Sequence, residues 1–374
     1  MTTELTDEQS MLRESAQRFV ENEYGFEARR TLSESEDGFS RAHWKQFAEL
    51  GWLAMALPED HGGLGGGAVE TAVLMEVFGR GLVLEPFFAT VVMGAGLVAD
   101  AGSAEQQAAI LPKVAEGDML LAVAHGEPTS RYDLNAVATK AEKTGGGYTL
   151  TGHKAVAWHA GAADQLIVSA RTDGGERDEA GITLFLVDPK ADGVTIRSYA
   201  TNDGQRAGEV ILEGAAASEV LGEVGGAYPA IAAAADRAMI ALGAEACGAM
   251  AALVEQTQEY LKTRQQFGVP LSKFQVLQHR LVEMFNEQAM SRAVVYRAAA
   301  TLGTADAATR AKSAAAAKAQ IGKSGKFVGQ QAVQLHGGMG MTDELPVGHY
   351  FKRLSMIDIA FGNAEYHRRR FAKM

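Results

Sequence analysis

The sequence predicts a mainly α-helical protein with a central β domain. Apolar residues recur three and four positions apart over residues 6–113, and this helical period returns in three long segments, 227–263, 271–302 and 305–335. Between residues 120 and 221 the period changes to two, with short β-branched runs separated by glycine and aspartate. A chain of 374 residues is long enough for two or three domains. The α, β, α order therefore predicts an N-terminal helical domain, a middle β domain and a C-terminal helical domain at 1–118, 119–224 and 225–374.

Each predicted domain follows from its local pattern. The spacing of Leu12, Ala16 and Phe19 is that of one helix face, and the glycine-rich residues 57–65 mark a loop between two helices. Glycine and aspartate clusters between the short apolar runs predict an antiparallel sheet or a small antiparallel β-barrel. Long C-terminal helices joined by short turns predict an antiparallel four-helix bundle.

Composition excludes several classes of partner and site. A net charge of −11 argues against binding to nucleic acid or to an anionic membrane, both of which need a broad basic face. The single cysteine, Cys247, lies in an apolar helical run, so we expect a buried, inert thiol, no disulfide and no metal site. The polar N-terminus has no leader pattern, and we find no apolar stretch of membrane-spanning length. We therefore expect a cytoplasmic protein.

The C-terminal part of the chain carries the most informative motif, Gln334-Leu335-His336-Gly337-Gly338-Met339-Gly340, which is followed by Phe361-Gly362-Asn363. Together with residues 57–65, 130–134, 260–268 and 274–280, this motif makes the whole chain resemble the acyl-CoA dehydrogenases. Within that family it is most similar to the small subunits of pimeloyl-CoA dehydrogenase and of heteromeric enzymes that degrade dicarboxylates and steroid side chains.

The resemblance implies an FAD site built by two chains, so each chain lends one set of residues to its neighbour's cofactor. An arginine fork suits the pyrophosphate, an aromatic ring packs on the cofactor, and glycines without a Cβ let main-chain N–H groups approach the dinucleotide. This lent set is intact here, and its members are Arg264, Phe267, Gln275, Gln334, Gly337 and Gly338.

The residues that the family uses for a chain's own flavin are altered. Residues 126–133 replace two glycines and a small serine of the family motif with longer side chains. Trp158 stands where the family has a short hydroxyl that bonds the flavin, and it either stacks on a ring or fills the pocket. Asn363 replaces a threonine and keeps hydrogen-bonding capacity. Phe361 occupies the position of the family's catalytic glutamate, and a phenyl ring cannot accept a proton.

The missing base leaves two acids to consider. Some family members place the glutamate on the first long helix of the C-terminal domain, where the nearest acid is Asp236. Asp236 lies two residues before that position, and two residues turn a helix by about 200° unless a bulge intervenes. A charge near the helix start is the alternative role for Asp236. For Glu245, pairing to a neighbouring helix is favoured, and we assign His279 and His336 to packing or FAD contact and residues 367–370 to a solvated helix end.

The resemblance implies a tetrameric flavoprotein oxidoreductase of fatty acid or steroid degradation. It would form an α,β double bond in an acyl-CoA thioester and pass electrons to an electron-transfer flavoprotein. The residues lent to a neighbour's FAD are intact, whereas those for the chain's own flavin are altered. This difference predicts a second dehydrogenase-like subunit in a heterotetramer, with a homotetramer or homodimer as the alternatives. Two other functions remain open: a non-catalytic scaffold subunit, or a flavoenzyme with a different acyl-CoA reaction, such as decarboxylation or desulfination.

Overall fold

The computed structural model describes residues 5–374 and divides them into two compact units. Unit 1 contains the described residues up to Thr31, together with Ala68–Val83 and Met239–Met374. Unit 2 contains Leu32–Gly67 and Leu84–Ala238. The N-terminal helices are thus shared between the two units, and the domain boundaries inferred from sequence stay a prediction.

The N-terminal part is helical, as predicted. Thr6 and Ser103 each cap the start of a helix with a capping box. The hydroxyl of the capping residue accepts the backbone N–H of the glutamine three residues later, and the side chain of that glutamine accepts the backbone N–H of the capping residue. The helices are α1 (Asp7–Glu23), α2 (Phe26–Glu34), α3 (Arg41–Glu49), α4 (Ala68–Gly81), a π-helix (Phe88–Ala95), α5 (Gly96–Ala101) and α6 (Ala104–Ala115).

The middle part, in unit 2, is one eight-stranded sheet with a buried apolar core. Its strands are β1 (Leu121–Ala124), β2 (Lys140–Thr144), β3 (Gly147–Trp158), β4 (Gln165–Arg171), β5 (Ile182–Val187), β6 (Val194–Ala200), β7 (Arg206–Ala216) and β8 (Glu219–Leu221). They are ordered β6-β7-β3-β2-β4-β5-β8, with β1 on β4. The purely antiparallel expectation is wrong in detail, because β4 pairs in parallel with β1 and with the first residue of β2, Lys140. The long connections that precede β4 allow this parallel pairing.

The C-terminal part consists of long helices, as predicted. Its elements are α7 (Tyr228–Thr263), β9 (Gln265–Gln266), β10 (Val269–Pro270), α8 (Gln275–Leu302), α9 (Ala307–His336), α10 (Pro346–Ile359) and α11 (Ala364–Lys373). Helices α8, α10 and α11 all pack on α9 within unit 1. Cys247 is buried on α7, and burial raises the pKa of its thiol well above the ordinary value.

Helix α7 corrects one statement made from the sequence. It is long and apolar enough to cross a membrane, although we expected no such stretch. Its most apolar window of 18 residues is 89% buried inside the structure, as in a core helix. The alanine-rich composition that gives it this hydropathy serves close packing.

Helices α4 and α7 approach each other closely at Gly248, and this contact gives a stability prediction. A Cβ at Gly248 would lie 1.7 Å from the Glu76 carbonyl oxygen, so the helices must separate to admit a methyl group. Overpacking of this kind costs about 1–3 kcal/mol or more. We expect Gly248→Ala to lower the free energy of unfolding in urea by at least that amount. Gly25→Ala, where an added Cβ meets nothing within 4 Å, should change it little.

Candidate functional site

The ends of helices α7 and α9 lie side by side in unit 1. The rings of Tyr260 and His336 stack with centroids 4.4 Å apart and planes 28° from parallel. Arg264 follows Tyr260 by one helical turn, and Gly337 follows His336 directly. The stacking thus brings the Arg264 segment and the glycine motif close to each other.

His336 has a packing role in this arrangement. Its Nδ1 lies 2.8 Å from the carbonyl oxygen of Ala332, which fixes the proton on Nδ1. Burial lowers the pKa of His336, so the ring is neutral at physiological pH. His279, in contrast, is exposed on α8.

A tight hairpin presents the aromatic residue of the lent set. Strands β9 and β10 are joined by Phe267 and Gly268, with φ of 55° and 79°, the two left-handed residues of a type I′ turn. Phe267 is 89% exposed, and its ring meets the edge of Phe274 at 6.0 Å, one residue before Gln275. A left-handed backbone conformation at a non-glycine residue costs about 1–2 kcal/mol of conformational free energy. The hairpin therefore holds a large apolar ring in solvent, where a ligand or another chain can cover it.

Arg264 and the other polar residues of the lent set are open to solvent. Arg264 is exposed, and among residues 5–374 its guanidinium has no acidic partner within ion-pair distance. Gly337 ends α9 with φ +60°, and a Cβ added to Gly337 or Gly338 would meet nothing within 4 Å of this chain. Gln275 and Gln334 are also exposed. A planar guanidinium fork that is open to solvent suits the diphosphate of a dinucleotide.

Helix α8 carries an unusual apolar surface next to this region. From Gln275 up to Ser291 its only fully buried residue is Met284. Four large apolar side chains of this stretch are exposed, namely Val276, Val282, Phe285 and Met290. Where exposed apolar side chains such as these form a contiguous patch, they mark an interaction surface.

The loop that carries Phe361 is fixed from two sides. Phe361 has a left-handed backbone with φ +56°, and its carbonyl oxygen lies 2.8 Å from His367 Nε2. Lys318 Nζ lies 2.7 Å from the carbonyl oxygen of Gly362. Asn363 caps α11, since its Oδ1 accepts the Tyr366 N–H at 2.9 Å. The predicted hydrogen-bonding capacity of Asn363 is therefore partly used within the chain.

His367 corrects the prediction of a solvated helix end at residues 367–370. The ring is fully buried, because the first turn of α11 packs against α9, whereas Arg368 and Arg369 are exposed and pair with Glu365. Burial, with the nearby charge of Lys318 as a smaller cause, lowers the pKa of His367 to about 4. His367 is therefore neutral and donates from Nε2.

This buried histidine predicts acid sensitivity. Between pH 6.5 and 4 the unfolded chain binds a proton at residue 367 that the native chain does not, so stability falls as the pH falls. The loss for this group is roughly 2 kcal/mol at pH 5. We expect His367→Gln to lose less stability than the wild type between pH 7 and pH 5 in urea unfolding. The exposed His279→Gln is the control, and a variant as acid-sensitive as the wild type would contradict the assignment.

The two candidate acids on α7 have different surroundings. Asp236 is buried and lies more than two turns inside the helix, too far from its start for a dipole role. The helix runs without a bulge from Tyr228 to Thr263, so nothing restores the two-residue offset from the family position. Asp236 as the base stays a prediction. Glu245 pairs with Arg353 through two bonds of 2.6 and 2.7 Å, as favoured from the sequence.

In unit 2, Trp158 lies at the end of β3 against the π-helix. Its ring meets Phe88 edge to face at 5.3 Å and 88°. A bulge precedes it, where Val156 has φ +55° and the register between β3 and β7 shifts. π-Helices and bulges are frequent at functional sites. Here they bring two large aromatic rings together where the resemblance implied a short hydroxyl.

In the altered segment 126–133, several hydrogen-bonding groups have partners within the protein. The Ser130 hydroxyl donates to the Glu127 carbonyl oxygen and accepts the Glu127 N–H, both at 3.0 Å. Arg131 follows with φ +49°. The Glu127 carboxylate accepts a bond of 2.7 Å from buried Lys154, whose pKa burial lowers to about 8. Polar groups that could serve a ligand are thus engaged within the protein.

Two features of these sites escaped the sequence analysis. The pair Glu127–Lys154 and the buried Lys318 were not singled out. Lys318 follows an alanine run on the stripe of α9 that also buries Ile321 and Gly325. A lysine in phase with the apolar face of a helix was the available signal. In the part of the chain that the structure describes, no cluster of metal-ligating side chains occurs.

A helical domain, a central sheet and a C-terminal set of long helices are the architecture of a flavin-dependent oxidoreductase fold. The chain belongs to the acyl-CoA dehydrogenase family, whose cofactor is FAD. The family's N-terminal, middle and C-terminal domains match residues 6–118, 122–214 and 226–374.

Individual relatives support this membership along the whole chain. A probable acyl-CoA dehydrogenase of Bacillus subtilis, YngJ, is 30% identical over 98% of both chains. A variant of the Tcur3481-Tcur3483 steroid ACAD is 31% identical, with a TM-score of 0.89 over 98% of this chain and 97% of that one. The ChsE4-ChsE5 complex of Mycobacterium tuberculosis is 27% identical, with a TM-score of 0.90 over 100% and 98%.

Proposed function

We propose that this chain is a subunit of an FAD-dependent acyl-CoA dehydrogenase that forms an α,β double bond in an acyl-CoA thioester. The exposed, unpaired Arg264 beside the open backbone at Gly337 and Gly338 carries the proposal. With Phe267, Gln275 and Gln334, these groups would hold FAD, which accepts a hydride from the substrate when bound. An electron-transfer flavoprotein would take the electrons onward, which is supported by the 26% identity of this chain to a chain from a structure described as an electron transferring flavoprotein of Acidaminococcus fermentans.

The second part of the proposal is a different partner chain. The apolar face of α8 and the exposed Phe267 offer a surface for another subunit beside the cofactor site. The contacts of Trp158 with Phe88, and of Ser130 with Glu127, support an own flavin pocket that is filled. The Tcur3481-Tcur3483 and ChsE4-ChsE5 relatives each carry two protein names, which supports a complex of two unlike chains such as a heterotetramer. The first is named a steroid ACAD, which supports a steroid-derived thioester as the substrate class. A dicarboxylate-type thioester, as in pimeloyl-CoA, is the other class.

The chemistry of the α-proton supports the same arrangement. Phe361 cannot accept a proton. Glu245 is held by Arg353 through both carboxylate oxygens, so moving it to a substrate would break two short bonds of a buried ion pair. Asp236 lies on a helix phase that differs by about 200° from that of the alternative family base. The partner chain therefore supplies the carboxylate, and this chain clamps the diphosphate.

Co-expression with a candidate dehydrogenase-like partner chain tests the proposal. The purified complex should contain FAD that a cognate acyl-CoA thioester bleaches, with the 2-enoyl thioester as product. Saturated steroid side-chain thioesters and dicarboxylyl thioesters are the two substrate panels. A flavin-containing complex that is bleached by neither panel would contradict the assigned reaction.

A scaffold role is the second candidate, and the Trp158–Phe88 contact favours it, because two packed rings would fill this chain's own pocket. A scaffold needs no cofactor contact, so flavin content should not depend on Arg264. A different acyl-CoA reaction that needs no α-base, such as decarboxylation or desulfination, is the third, and the absence of a base at Phe361 favours it. Product analysis with the same thioesters separates the third from dehydrogenation.

A further inference from the structure

Three contacts hold His336 at the C-terminal end of α9. Tyr260 stacks on its ring with centroids 4.4 Å apart, and its Nδ1 donates to the Ala332 carbonyl oxygen at 2.8 Å. Gly340, in the turn after the glycine pair, packs so closely that a Cβ there would lie 3.1 Å from the His336 Cβ. His336 is buried as a result, and its position is fixed against α7.

The main chain of Arg264 is anchored to the other ring of this stack. The Arg264 N–H donates to the Tyr260 carbonyl oxygen at 2.8 Å, and the Arg264 carbonyl oxygen accepts the Leu271 N–H at 2.9 Å. Helix α7 ends at Thr263, so Arg264 leaves the helix one turn after the stacked ring. A shift of Tyr260 on His336 would therefore carry Arg264 with it.

The glycine motif is anchored to His336 in the same way. Gly337 follows His336 directly, and its N–H donates to the Gln334 carbonyl oxygen. The stack of Tyr260 on His336 thus joins two segments of the lent set that come from different helices. Both rings that make the contact lie outside the lent set itself.

A dinucleotide that contacts both segments needs them at a fixed separation. A binding site has to hold its groups to within about 0.5 Å, and a misplacement of about 1 Å can cost roughly a hundredfold in function. An aliphatic side chain at residue 260 would bury apolar surface equally well. Two flat rings with planes 28° from parallel restrict their distance and tilt more closely than an aliphatic contact does.

We propose that Tyr260 and His336 are positioning residues, which set the separation between the Arg264 guanidinium and the open main chain at 337–338 so that both reach one FAD. The inference rests on the proposed function, because it takes this surface as the FAD site. The two rings act through the segments that they join. Loss of the stack therefore weakens FAD binding through Arg264.

A double-mutant cycle on FAD binding to the complex tests this role. Tyr260→Leu should raise the dissociation constant for FAD roughly tenfold, whereas Tyr260→Phe, which keeps the ring, should match the wild type. Arg264→Ala should weaken binding roughly 10- to 100-fold in the wild type. In the Tyr260→Leu background it should weaken binding less than about threefold, because a displaced guanidinium contributes little. Gln258→Leu places the same side chain at an exposed position of α7 and should leave the dissociation constant unchanged.

Amide hydrogen exchange of the complex without FAD gives a measurement that does not depend on the cofactor. Tyr260→Leu should speed exchange of the Arg264 and Gly337 amides roughly tenfold, because both are anchored to the stacked residues. Residues 310–325, in the first half of α9, should exchange as in the wild type. Tyr260→Phe should leave all of these amides unchanged.

Several results would overturn the positioning role. They are wild-type FAD affinity in Tyr260→Leu, a Tyr260→Phe variant as weak as Tyr260→Leu, and an Arg264→Ala effect of the same size in both backgrounds. Faster exchange spread evenly over α7 and α9 would also overturn it. If Tyr260→Leu does not fold, His336→Gln removes the other ring and decides by the same criteria. An Arg264→Ala variant that binds FAD like the wild type contradicts the proposed function instead, and the exchange result stands apart from it.

Discussion

Replacing Arg264 with alanine is expected to release FAD from the complex. The guanidinium is exposed and has no acidic partner among residues 5–374, so its removal should leave the fold intact. Charge-assisted hydrogen bonds contribute about 1.5–3 kcal/mol each. Losing one should therefore raise the dissociation constant for FAD roughly 10- to 100-fold. The measurement is a flavin titration of the refolded or partially stripped complex, with circular dichroism to verify the fold.

Two matched variants make this result specific. Arg264→Lys keeps the charge but loses the planar fork, so we expect an intermediate affinity. Arg18→Ala removes an equally exposed arginine from α1 and should not change FAD binding. If Arg264→Ala retained full flavin content with wild-type affinity, the scaffold role would replace cofactor binding as the better account.

Breaking the buried pair of Glu245 and Arg353 is expected to give the largest loss of stability. The two bonds of 2.6 and 2.7 Å satisfy both carboxylate oxygens in the interior of unit 1. Arg353→Met leaves a buried carboxylate without its cation, at a cost of about 3–5 kcal/mol in the free energy of unfolding. Urea unfolding measures the change.

The double variant distinguishes the interaction between Glu245 and Arg353 from the contacts that each residue makes with other groups. Glu245→Leu combined with Arg353→Met replaces both charges with apolar groups and should recover most of the stability lost in Arg353→Met. A double variant less stable than the single one would show that each residue acts through other contacts. It would also reopen Glu245 as a carboxylate available to substrate.

The sequence predicted the order of domains because their periodicities differ, and it predicted the lent residues because their motifs are local. Arg264 with Phe267, and Gln334 with Gly337, each lie within a few residues of each other, so chain order already places them together. The stacking of Tyr260 on His336, which joins the two motifs, depends on helix packing that no local pattern contains.

Contacts between distant segments could not be predicted. Lys154 reaches Glu127 across the sheet, and Lys318 reaches Gly362 from another helix, so neither pair has a fixed sequence spacing. The parallel pairing of β1 with β4 escaped for the same reason. His367 was misassigned because its basic neighbours suggested a solvated end, whereas a single position on the inner face of α11 is buried.

Counting flavin in the purified assembly tests most directly whether this chain binds FAD only together with a different subunit. The count should be one FAD for each pair of unlike chains, and none for this chain expressed alone. A homomeric assembly of this chain with one FAD per subunit, bleached by an acyl-CoA thioester, would contradict the account.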